Sequence, residues 1–120
     1  MANKRDLKKF VRNTCGALAA EIIFARAAFP SIEGKKVQEI VTDIARLQGD
    51  TLTKASISFD KSPRDFETRA AYHKARADYY NKAYTKLLDN FDEAVLAIVK
   101  NMNAALPADV KAEIKKVAAE

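Results

Sequence analysis

The chain has 120 residues, enough for one domain and too short for two ordinary ones. Hydrophobic residues make up 48% and charged residues 31%, a balance that excludes global disorder, and three glycines, three prolines and no tryptophan leave too few turn formers for an all-β domain of this size. The formal net charge is +5, and the single cysteine, Cys15, excludes an internal disulfide or a multi-cysteine metal site.

The first predicted element runs from about Asn3 to Phe29. Leu7, Val11, Thr14/Cys15, Leu18, Ile22, Ala25 and Phe29 recur at steps of three and four and define one helical stripe, flanked by Phe10 and Phe24. Gly16 lies mid-helix, where it costs about 1 kcal/mol relative to Ala, so a bend or a close helix crossing is expected there. Pro30 ends the element, because the residue before a proline avoids the α region. The basic residues 4–12, followed by the mostly apolar 15–24 and then Ala25-Arg26-Ala27, imitate a secretion signal. Glu21 breaks that apolar core and the helical period persists, so the expectation is a cytoplasmic chain without a leader. In that reducing setting Cys15 reads as a small buried hydrophobe. No apolar run approaches the roughly 20 residues needed to span a bilayer. The Ala-rich first helix, with Thr14 and Cys15 on its apolar face, is also a poor interfacial anchor.

The second helix starts between Ser31 and Lys36 on a stripe of Val37, Ile40, Val41, Ile44 and Leu47. It is expected to end near Gln48, with Gly49 as a left-handed C-cap. Thr51 to Lys61 then forms a connector, whose Leu52, Ile57 and Phe59 would pin it onto the bundle. Ser62-Pro63-Arg64-Asp65 carries the clearest helix start in the chain: an N-cap serine, proline at the first helical position and an acid in the first turn.

From there a heptad-like register runs unbroken through Phe66, Ala70, His73, Ala77, Tyr80, Tyr84, Leu87, Phe91, Ala94 and Ile98. It predicts a continuous helix from Pro63 to about Ala104, ~60 Å long at about 1.5 Å per residue; a kink near Asp89 and Asn90 is the alternative. After Pro107, Val110, Ile114 and Val117 mark a short amphipathic helix over Ala108–Ala119. The fold class is thus an all-α antiparallel bundle of about four helices, two long and two short, in one domain over residues 1–120.

Catalytic and metal chemistry find no motif. The one histidine, His73, lacks a Glu three residues before it, so a bundle metal site has no ligand set and His73 reads as a core or boundary residue. No phosphate-binding glycine loop is present, and the lone Gly34-Lys35 pair does not make one. Glu39 and Asp43, one turn apart, read as a solvated face. Catalytic, cofactor and metal residues are therefore assigned to none, and the chain is read as a non-enzyme.

Charge is uneven: residues 1–30 carry +4, 31–60 carry −1, 61–90 carry +3 and 91–120 carry −1. Arg5, Lys8, Lys9 and Arg12 share one side of the first helix, and Arg69, Tyr72, Arg76, Tyr79 and Lys86 form a stripe on the third. Interleaved cations and rings could grip phosphates and stack on bases, which makes these nine residues candidate nucleic-acid contacts. The joint between helices two and three is too long for a helix-turn-helix.

Helix three is longer than its neighbours can cover, and an uncovered apolar stripe is unfavourable. The leading expectation is therefore a homodimer, or a module for a protein partner, that self-associates through Tyr80, Tyr84, Leu87, Phe91 and Ile98. Nucleic-acid binding is the alternative. In class alone the chain resembles small bacterial helical-bundle proteins, a likeness that implies no residue role.

Overall fold

A computed structural model describes residues 4–118, with side chains to residue 116. Asn3, Ala119 and the side chain of Val117 lie outside the described residues. Four α-helices follow in order: α1 (Lys4–Ala28), α2 (Gly34–Ala55), α3 (Arg69–Ala105) and α4 (Ala108–Ala118). The described residues contain no strand. The architecture is an all-α bundle of three long helices and one short one.

The helical register places the core. Val11, Cys15, Leu18 and Ile22 of α1 pack against Val37, Ile40 and Ile44 of α2 and Phe91, Ile98 and Met102 of α3. A second cluster at one end joins Leu7, Ala55, Tyr84 and Leu87. These pairings fix the directions. The Lys4 ammonium donates to the Ile57 carbonyl at 2.8 Å, so α1 begins where α2 ends. Leu7 meets Tyr84 and Leu87, the Phe10 and Phe91 rings stand edge to face at 6.0 Å, and Ser31 approaches Asp109 at 3.5 Å. The α1–α2 and α2–α3 pairs are therefore antiparallel, while α1 and α3 run in the same direction.

Two element boundaries differ from the sequence expectation. α2 does not stop at Gln48; it continues through Gly49 to Ala55. Gly49 keeps a negative φ, so it is an ordinary helical residue rather than a C-cap. Packing explains the extension, because Thr51 and Ala55 in the added turns are buried. α3 starts at Arg69 and not at Pro63. Ser62 and Asp65 do form their reciprocal cap, with the Ser62 amide donating to the Asp65 carboxylate at 2.8 Å, but it closes only a 3-10 turn over Pro63–Asp65. Phe66 then leaves the helical path to lie against Phe59 and Tyr72, and Thr68 caps α3 by accepting the Ala71 amide at 3.0 Å.

Beyond that start α3 is continuous for 37 residues, about 55 Å, with no break at Asp89 or Asn90. The register is core only from Tyr84 onward: no residue of α3 before Tyr84 is buried, and Ala70, His73 and Ala77 are exposed. Gly16 is exposed too, and a Cβ there would meet nothing within 4 Å, so no close helix crossing occurs at that point. The first three turns of α3 project past the ends of α1 and α2. The resulting extents are 66 × 30 × 18 Å, and the radius of gyration is 19.8 Å, against about 14 Å for a compact chain of this length.

Candidate interaction surfaces

The residues expected to mediate self-association lie within the chain's own core. Tyr84, Leu87, Phe91 and Ile98 are 7%, 8%, 1% and 7% exposed, and Tyr80 is half-buried. The extended α2 supplies the cover that the sequence expectation assigned to a second copy.

Tyr72, Tyr79 and Tyr80 hold the connector between α2 and α3, and Tyr84 holds the last residue of α2. The Tyr84 hydroxyl donates to the Ala55 carbonyl at 3.4 Å and the Tyr79 hydroxyl to the Ser58 carbonyl at 3.3 Å, while the Tyr80 hydroxyl accepts the Phe59 amide at 3.0 Å. The Phe59 ring packs at 5.3 Å from that of Tyr79 and 5.9 Å from that of Tyr72. The Arg76 guanidinium sits 5.1 Å from the Tyr80 ring centroid, in cation–π range. Burial pushes the Tyr84 hydroxyl pKa upward, reinforced by Tyr80 and Tyr79 and opposed by Arg76. Tyr72 and Tyr79, read as candidate base-stacking residues, thus use their ring faces inside the protein.

The cations are differently placed. Arg5, Lys9, Arg12, Arg69, Arg76 and Lys86 are exposed and Lys8 is half-buried. The parallel run of α1 and α3 brings the basic start of α1 beside α3 near Tyr84–Phe91. Segments far apart in sequence therefore share one end of the molecule. Residues 4–12 and 54–88 hold thirteen basic and five acidic side chains, net +8. The remaining residues hold eight basic and eleven acidic, net −3, with Asp89, Asp92 and Glu93 marking the boundary on α3.

A second surface escaped sequence reading. Phe10, Ala17 and Phe24 recur every seven residues along one side of α1. Phe10 is 41% exposed and Phe24 70%. Because Phe10 touches Phe91, this side faces α3. On α3, Asn101 and Ala104 line the groove shared with Lys36, Glu39 and Asp43 of α2. Leu88, Val95 and Val99 lie on the opposite flank, half-buried, and Leu96 next to them is 62% exposed. The flank of the bundle turned away from α2 is therefore apolar on both α1 and α3. The seven-residue spacing is the signal in the sequence, but the stronger Leu7–Ile22 stripe beside it masks it.

The remaining polar candidates lie apart. Cys15 is 1% exposed and desolvation raises its thiol pKa, which keeps it protonated. His73 is exposed on the projecting part of α3 rather than in the core. Glu39 and Asp43 share a shallow groove with Lys36 and Asn101. Among the described residues no group of three or more His, Cys, Asp or Glu side chains is placed to hold a metal ion, and no helix is long and apolar enough to cross a membrane.

No family model, curated protein or solved structure matches this chain.

Proposed function

We propose that this chain is a non-enzymatic helical interaction module that pairs with a second copy of itself through the α1/α3 flank. The observation that carries this reading is the exposure of Phe10, Phe24 and Leu96 beside half-buried Leu88, Val95 and Val99 on a single flank. Large apolar groups left in water are unfavourable, and contiguous patches of them mark association sites.

The test is the mass of the Phe24→Asp/Leu96→Asp variant beside the native chain, by sedimentation equilibrium. Both side chains are exposed in the single chain, so the variant should keep its helicity, and its melting temperature should fall by no more than the stabilisation that pairing supplied. The reading expects twice the 13.3 kDa chain mass for the native protein and 13.3 kDa for the variant. A native dimer that survives the double substitution would rule out this flank.

A further inference from the structure

We infer that the basic end of the molecule binds the phosphate backbone of nucleic acid, without reading sequence. The fold makes this surface. In sequence the basic residues fall in two blocks separated by most of α1 and most of α2; in the structure both reach the same end and together carry +8. The charge is available. Arg5, Lys9, Arg12, Arg69 and Lys86 are exposed. Such a concentration of positive potential attracts a polyanion from beyond contact distance and gains affinity by releasing its condensed counterions.

The chemistry narrows the ligand further. Base stacking needs free ring faces, and Tyr72, Tyr79, Phe59 and Phe66 pack on one another instead. Contacts are left to backbone phosphates, which position a nucleic acid but carry no sequence information. A lipid surface fits less well, because an interfacial anchor needs exposed apolar groups among its cations. Phe10 is the one large exposed apolar side chain among the described residues of this end, and it is turned against Phe91. This surface meets the α1/α3 flank at Phe10 and Leu88, but the inference needs only the cations, so it stands whether or not the chain pairs.

The test is fluorescence anisotropy with labelled random-sequence DNA of about 20 nucleotides, single-stranded and duplex. Binding is expected to both forms. Engagement of only four phosphates would weaken duplex binding about 100-fold between about 50 and 200 mM salt. Arg5→Glu/Lys9→Glu and Arg69→Glu/Lys86→Glu should each cost at least about tenfold. Lys111→Glu/Lys115→Glu makes the same change of charge on α4 and should cost less than about twofold, since α4 lies beside Ser31 at the other end of the bundle, away from a backbone held at the basic end. Circular dichroism melts of all variants control for folding. No binding at low salt, salt-insensitive binding, or an equal loss in the α4 variant would overturn the inference. So would uptake by phosphatidylserine vesicles with none by DNA.

Discussion

The backbone amide of Phe59 donates to the Tyr80 hydroxyl at 3.0 Å, and this bond ties the connector to the part of α3 that neither α1 nor α2 reaches. Without the connector, the first turns of α3 would be an isolated helix end, marginal in water. Tyr80→Phe keeps the ring and removes the acceptor, leaving a part-buried amide unpaired. The expected loss is about 1 kcal/mol, read from the urea midpoint. Hydrogen exchange should also quicken in Arg69–Ala83 while the Phe91 region keeps its protection. An unchanged exchange pattern would show that the connector does not hold the projecting helix.

Phe91 is 1% exposed at the meeting of α1 and α3 and touches Phe10 edge to face. Phe91→Ala is expected to cost about 3–5 kcal/mol, enough to unfold a marginal domain. Leu96→Ala, five residues along the same helix but 62% exposed, should cost under about 0.5 kcal/mol in the monomer. Thermal melts of the pair separate core from surface on α3.

Gly49 has no left-handed conformation to protect, and a Cβ there would meet nothing within 4 Å. Gly49→Ala is therefore expected to stabilise the chain by about 0.5–1 kcal/mol, through the helix and the unfolded ensemble alike. Had Gly49 been a C-cap, the same substitution would destabilise. The sign of the change in denaturation midpoint tells the two apart.

Cys15 and Tyr84 both have pKa values raised by burial, so each holds its proton to higher pH in the folded chain than in the unfolded one. That contribution to stability is complete below the ordinary thiol value. It fades as pH rises through the ordinary value and on toward the raised one. The urea midpoint should accordingly be flat with respect to these two groups near neutrality and fall at alkaline pH, first through Cys15. Alkylation of Cys15 by iodoacetamide at neutral pH should require unfolding; rapid labelling of the native chain would contradict its burial.

What could be read from sequence divides along physical lines. Helical period and its phase are local, and they give the Leu7–Ile22 stripe and the unbroken α3 through Asp89 and Asn90. Boundaries depend on tertiary contacts. Gly49 looks like a stop until Ala55 is seen packed against Leu7, and Ser62-Pro63 looks like a long helix's start until Phe66 turns aside to Phe59. The tyrosines were least legible, because three of them bond to backbone groups of Ala55, Ser58 and Phe59, and a backbone partner leaves no mark on residue identity. An α2 that ended at Gln48 would leave Tyr84 uncovered, whereas the added turns bring Ala55 onto it and Phe10 of α1 meets Phe91.

Pairing through the α1/α3 flank is the central claim, and sedimentation equilibrium of the native chain tests it most directly. At about 100 µM, any dissociation constant tighter than about 10 µM leaves mostly dimer. Twice the 13.3 kDa chain mass is expected there, falling toward 13.3 kDa on dilution. A constant 13.3 kDa at every concentration would contradict it.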